Sequence, residues 1–393
     1  MSGSERFLLV GSLLRPDELQ TYNREIESRD DITYPFYDDL EGYAETEGKT
    51  VTEVVNKQIE AGIPEVTDGE FQRSIWHLDF VWGLDGVERS IGDSGWKFQN
   101  DTEGFEEGTF ETRKDINVKV VAPLHSNNHT FIDHYKRVRE EAGDHSVKLT
   151  IPSPAQIYNE FVRSMSDENG YSNDVYPTTD DLGEGLVQAW KEFVDEYTAV
   201  GGEVLQFDDC TWALFSKDNP IGYYTQDGAT DETVKAQAEK LVSLNNAVVD
   251  YAHEKGLTVY THNCRGNYGS RYAMGGSYEH VANYFLANQN YDRFYLEWDD
   301  DRAGNLVALE AFKDKPETEV VIGFLSSKKS GLADKEAVLA ELEEAAKYIP
   351  KDKLYLSHQC GFASCDGGND LTHEQQWNKI KQGQEIAQAF WGE

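Results

Sequence analysis

The chain has 393 residues, 39% of them apolar and 12% aromatic, which is too rich for a disordered polymer. Its 72 Asp and Glu stand against 36 Lys and Arg for a net charge of −36, so the basic footprint needed for nucleic acid or an anionic membrane surface is missing. No apolar run reaches the ~18 residues of a membrane span, and the N-terminus has no signal-peptide pattern. The four cysteines are Cys210, Cys264, Cys360 and Cys365. They are too few for a disulfide framework and read as the thiols of a cytoplasmic protein.

Short apolar strands alternate with helical stretches, the pattern of a parallel α/β protein. Residues 7–11 open the series. A helix over 50–61 follows, with Thr50 and Glu53 at capping-box spacing and Gly62 at its end. Strands are then predicted at 65–69, 147–152, 203–208, 257–262, 294–297, 320–325 and 354–359. Between them lie helices marked by Leu186, Trp190, Phe193 and Tyr197, by Val234, Leu241, Leu244, Val248 and Tyr251, and by residues 334–347. A last helix spans 372–390, again opened by a capping-box pair, Thr372 and Gln375.

Eight strands ending in a helix predict a single (β/α)8 TIM barrel over residues 1–393, with long excursions after strands two and three. The first excursion, about 72–117, is rich in Gly and aromatics and reads as hairpin-bearing, with 118–123 a further strand outside the barrel. The second is the polar stretch 164–181. An open doubly wound sheet is the alternative, but the turn after the first strand, Gly11-Ser12-Leu13-Leu14-Arg15-Pro16, is no phosphate-binding fingerprint.

In a barrel, strand C-terminal ends converge on one face. Strand five ends in His262-Asn263-Cys264, and residues i and i+2 point to one side. Strand six ends at Glu297, and strand eight runs into Cys360-Gly361. An imidazole, a carboxylate and two thiolates are therefore expected at one mouth. This donor set suits Zn2+ and leaves the site with one negative charge. Such a zinc activates water poorly and suits holding a substrate thiol as its thiolate. The plainer reading is that buried cysteines act as small hydrophobes.

These motifs resemble those of the cobalamin-independent methionine synthases, specifically their C-terminal catalytic barrel. That family binds zinc through a His-x-Cys, a downstream Glu and a later Cys-Gly. His262, Cys264, Glu297 and Cys360 match these elements in order, and the resemblance runs from Val10-Gly11-Ser12 to the final helix. It implies a methyl transfer from methyltetrahydrofolate or a related donor to homocysteine. It also implies that Gly11 and Ser12 hold the amino acid's carboxylate. The Glu of Asp68-Gly69-Glu70-Phe71 and the Asp of Gln206-Phe207-Asp208-Asp209 would hold its ammonium. Arg15 is a further candidate for an anionic substrate group.

Two departures stand out. The family's strand seven ends in a proton-delivering His, where this chain has Leu325, leaving Lys328 or His358 as substitutes. The family's Asp-Glu-Pro after strand four is here Asp208-Asp209-Cys210. Three other readings remain: an alkyltransferase acting on a sulfonate thiol, like the epoxyalkane–coenzyme M transferases; a zinc-binding homologue without turnover; and a uroporphyrinogen-decarboxylase-like barrel, against which the cysteines count.

Overall fold

The computed structural model describes residues 2–27, 40–90, 97–99, 109–111, 117–162, 174–217, 219, 222–365 and 367–392. Trp96, much of the first excursion and residues 164–173 of the second lie outside them. In chain order the strands are β1 (Glu65–Val66), β2 (Asp85–Ser90), β3 (Lys97–Gln99), β4 (Thr109–Glu111), β5 (Asn117–His125), β6 (Ser146–Pro152), β7 (Val204–Asp208), β8 (Thr258–Asn263), β9 (Arg293–Glu297), β10 (Glu319–Leu325) and β11 (Leu354–His358). The α-helices are α1 (Asp17–Glu27), α2 (Tyr43–Glu60), α3 (Leu78–Trp82), α4 (Thr130–Ala142), α5 (Pro154–Val162), α6 (Thr179–Ala199), α7 (Asp231–Glu254), α8 (Lys335–Ala345) and α9 (His373–Trp391).

Seven strands form one curled parallel sheet in the order β1-β6-β7-β8-β9-β10-β11. Two apolar clusters alternate along its strands. Leu205, Val259, Phe294, Val320 and Leu354 belong to the larger. Their neighbours Val204, Tyr260, Tyr295, Val321 and Tyr355 belong to the smaller. The side-chain period of two puts these clusters on opposite faces, so the sheet is buried on both sides, as parallel sheets are.

The sheet is a half-barrel of the TIM-like kind expected, but among the described residues no eighth ladder closes it. Residues 7–10 alternate as a strand does: Phe7 and Leu9 join the larger cluster, Leu8 and Val10 the smaller. Their pairing is nevertheless limited to a Phe7–Leu356 bridge and one bond from Leu8 N to Leu356 O. The physical reason is that side chains take the carbonyls a ladder would use. Lys148 Nζ donates to the Leu9 and Val10 carbonyls at 2.7 and 3.0 Å, Gln206 Nε2 to Val10 at 3.0 Å, and Thr67 Oγ1 to Gly11 at 2.9 Å.

Beside the sheet, β2 pairs antiparallel with β5, and β3 with β4. The second helix starts earlier than its capping-box spacing predicts. Thr50 is buried inside α2, where its hydroxyl bonds the Glu47 carbonyl instead of capping. The box at Thr372 and Gln375 does open α9. No helix among the described residues is long and apolar enough to cross a membrane.

Candidate metal centre and substrate cavity

The C-terminal ends of β7 and β8 and the turn after β11 meet at one cavity of about 890 Å³ including its open mouth, lined by His262, Cys264, Cys360, Ser12, Glu70 and Asp208 among others. One donor atom from each of His262, Cys264 and Cys360 lies within 4.8 Å of the others, and all three residues are buried. Parallel pairing of β7 with β8 places Asp208 opposite His262. The Cys360-Gly361 turn is pinned because the Gly361 carbonyl accepts from Ser327 Oγ and Asn267 Nδ2, both at 2.8 Å. A Cβ at Gly361 would collide with the Ser12 hydroxyl, so only glycine lets Ser12 approach the turn.

The donors fit a soft divalent cation. Both ring nitrogens of His262 are buried without a hydrogen-bond partner, a cost that a metal ligand would remove. The Cys264 thiol is pushed well above its ordinary range by its hydrogen bond with Cys210, by burial and by the Glu297 charge. The Cys360 thiol is pushed up by its hydrogen bond with Cys264 and by burial. Protein groups alone thus disfavour the thiolate at both sulfurs, and a coordinated cation is what turns such thiols into thiolates.

Glu297, expected as a fourth ligand, is outside this three-residue group. Its carboxylate lies 3.2 Å from Lys328 Nζ and accepts from Arg265 N at 2.8 Å. Burial opposes its charge, but Lys328, Arg265 and Arg302 outweigh burial and hold it below the ordinary range. The reason is local: the lysine two residues beyond Ser326 reaches back over the strand end.

Glu70 and Asp208 both line the cavity. Glu70 sits at φ +60, a left-handed conformation uncommon outside glycine. Its Oε1 accepts from Thr150 Oγ1 at 2.7 Å, with Arg73 Nη1 at 3.5 Å. Burial raises the Glu70 pKa against the Arg73 charge. Burial and then the Glu70 charge push Asp208 up to about 8, partly offset by its bond from Gln206. Two buried carboxyls facing one space favour a cationic guest.

Arg15 does not reach this space, which corrects its expected role. Its guanidinium donates to the carbonyls of Ala363, Cys365, Glu70 and Arg73 at 2.7–3.1 Å, so it braces the loops that carry Glu70 and Cys360. Gly11 sits between the lining residues Val10 and Ser12, where a Cβ would press on Glu70 Oε1 and Thr150. Neither substitute proton donor lines the cavity. His358 is buried between the rings of Phe7 and Phe362, its pKa driven to about 3 by burial, and Lys328 is held by Glu297.

The cavity also holds groups that sequence reasoning passed over: Cys210, Trp76, His77, Gln156 and Glu160. His77 Nε2 lies 3.3 Å from Glu160 Oε1. Cys210 had a signal, since it follows a strand end by two residues as Cys264 nearly does. His77 lies in the first excursion, where no periodicity marks an inward side chain.

No family model matches the chain. Two Bacillus subtilis proteins, both described as uncharacterized, align over 382 residues: YxjH at 36% and YxjG at 33% identity, each covering 97% of this chain and 93% of the relative. A structure from Listeria monocytogenes, named provisionally as a vitamin-B12-independent methionine synthase, matches with TM-score 0.69 and 27% identity over 98% of this chain and 97% of its own. A B12-independent methionine synthase from Shewanella sp. W3-18-1, solved with selenomethionine, matches in fold with TM-score 0.67 and 21% identity over 98% of both chains. The chain belongs to the family of YxjH and YxjG, and its fold is that of the vitamin-B12-independent methionine synthases.

Proposed function

We propose that the protein is a zinc-dependent methyltransferase that moves a methyl group from a donor such as methyltetrahydrofolate to the sulfur of homocysteine, forming methionine. The observation that carries this reading is the convergence on one cavity of three soft donors, His262, Cys264 and Cys360, with two buried carboxyls, Glu70 and Asp208. The likeness to the Listeria protein supports the same class.

Zinc, when bound, supplies the charge that holds a substrate thiol as a nucleophilic thiolate. Two thiolates and one imidazole would leave it neutral with an open position for that sulfur. Glu297 is already neutralised by Lys328, so it does not add a negative charge that would repel the incoming thiolate.

The rest of the chemistry belongs to the chain. Glu70 and Asp208 face the substrate ammonium and become fully charged against it. Ser12, whose Oγ accepts from Ala363 N at 3.2 Å, offers its hydroxyl to the carboxylate. These contacts would orient the substrate, and orientation alone supplies a large part of such a rate enhancement. His77, whose Nε2 lies 3.3 Å from Glu160 Oε1 in the same cavity, is placed where it could pass a proton to a nitrogen leaving group. It takes over the part expected of Lys328 or His358.

The test is a screen of the reduced, zinc-loaded protein with methyltetrahydrofolate and simpler methyl donors, offering homocysteine against a sulfonate thiol. Methionine formed from homocysteine supports the reading. Turnover of the sulfonate thiol alone, or of neither, refutes it. The carboxyl pair favours the amino-acid thiol, because a sulfonate lacks an ammonium for Glu70 and Asp208.

A further inference from the structure

We propose that Cys210 and Cys264 are a reversible disulfide pair, oxidised by a peroxide, whose formation disables the metal-binding group. The consequence for the metal rests on the zinc site proposed above; the bond itself does not.

The two sulfurs lie 3.1 Å apart. Two thiolates sharing one tetrahedral zinc, each at ~2.3 Å from it, would stand about 3.7 Å apart. Cys210 is also outside the group formed by His262, Cys264 and Cys360. It is thus a neighbour of one ligand rather than a further ligand. A disulfide needs the sulfurs at ~2.05 Å, an approach of about 1 Å.

The backbone holds the two cysteines face to face. Asp209 N donates to the His262 carbonyl at 2.8 Å, and Asn263 Nδ2 to the Asp209 carbonyl at 2.6 Å. Cys210 N donates to Gln156 Oε1 at 2.8 Å. The Asp209 carboxylate is gripped by Thr211, Trp212 and Asn245. The ends of β7 and β8 are therefore tied to each other at Asp209, one residue before Cys210, and the chain around Cys210 is anchored by Gln156, Trp212 and Asn245. Cys210 is half-buried and lines the cavity, which gives a small oxidant its route, whereas Cys264 and Cys360 are buried.

The reaction balances with hydrogen peroxide as oxidant. The two S–H bonds and the O–O bond break, one S–S bond forms, and two waters leave carrying both sulfur hydrogens. Where Cys264 is a metal-bound thiolate, its metal–sulfur bond breaks instead of an S–H bond, and the second proton comes from solvent. A disulfide sulfur is no longer an anionic donor, so His262 and Cys360 alone remain, fewer than zinc sites employ. A dithiol reductant restores both thiols by exchange.

The experiment treats reduced, zinc-loaded wild type and Cys210→Ser with equimolar hydrogen peroxide. It follows zinc release with a chromogenic chelator and maps peptides without reductant. Wild type is expected to release zinc, to yield a crosslinked peptide joining residues 210 and 264, and to rebind zinc after dithiol treatment. Cys210→Ser is expected to release zinc several-fold more slowly. Cys210→Ala carries the same expectation, and the wild-type map needs no variant. Equal release from wild type and variant, a crosslink between 264 and 360, or no crosslink overturns the proposal. A reduced wild type that binds no zinc refutes the metal reading separately, because the peptide map still decides the crosslink.

Discussion

The two ends of the same parallel strands carry opposite kinds of polar chemistry. At the N-terminal end, Arg293 is saturated: its guanidinium meets Glu65 at 2.8 Å and Glu319 at 2.7 Å, between the rings of Tyr260 and Tyr355. The tyrosine hydroxyls complete the set, Tyr260 donating to Glu65 at 2.7 Å and Tyr355 to Glu319 at 2.9 Å. At the C-terminal end, His262 has no hydrogen-bond partner, the Cys264 and Cys360 thiols are pushed upward by hydrogen bonds with neighbouring cysteines and by burial, and Asp208 is pushed up to about 8 by burial and by Glu70. A closed network stabilises a fold; an unsatisfied one awaits a guest.

Substitutions at the two ends should therefore separate stability from function. The largest effect is expected from Cys360→Ser. Loss of one soft donor should remove zinc and lower activity by at least about a hundred-fold, with little change in unfolding midpoint for the metal-free protein. Full metal content and turnover would erase the contrast. Arg293→Met is the mirror experiment. It leaves Glu65 and Glu319 without their shared cation, held only by the tyrosine hydroxyls, and should cost about 3 kcal/mol in urea denaturation, while zinc stoichiometry stays at the wild-type value.

Glu70→Gln sharpens the functional side. Removing one charge facing the ammonium should raise KM for homocysteine by about 10- to 100-fold and leave zinc in place. An unchanged KM would remove Glu70 from substrate binding.

The smallest effect concerns a group that belongs to neither network. His129 caps α4, its Nδ1 accepting from Phe131 N at 3.1 Å while Nε2 donates to Phe80 O at 2.9 Å. Burial lowers its pKa to about 4. The unfolded chain takes up this proton near pH 6.5 and the folded chain does not, so stability falls as pH drops from about 6.5 toward 4. At pH 5 the loss should be about 2 kcal/mol relative to pH 7. His129→Asn, which keeps a capping group, should flatten that slope in urea denaturation; an unchanged slope would assign it elsewhere.

Much of this arrangement was legible in the sequence because periodicity and strand ends are local signals. The strands that end at Asp208, Asn263, Glu297 and Leu325 follow from short apolar runs, the second running one residue past its predicted end, and the i, i+2 rule brings His262 and Cys264 together. What was not legible depends on distant partners. Residues 7–11 look like a strand, but Lys148 and Gln206, far along the chain, take their carbonyls. Arg15 looks like an anion binder until four backbone carbonyls surround it. Glu297 sits at the expected strand end, yet Lys328 engages its carboxylate. Charge pairing across loops leaves no periodic trace.

The central claim is that His262, Cys264 and Cys360 hold one zinc ion with room for a substrate sulfur. X-ray absorption at the zinc edge of the reduced protein tests it most directly. The account predicts two sulfur neighbours at ~2.3 Å and one nitrogen at ~2.0 Å, with a third sulfur appearing on addition of homocysteine. A protein without stoichiometric zinc, or a zinc shell that homocysteine leaves unchanged, would contradict it.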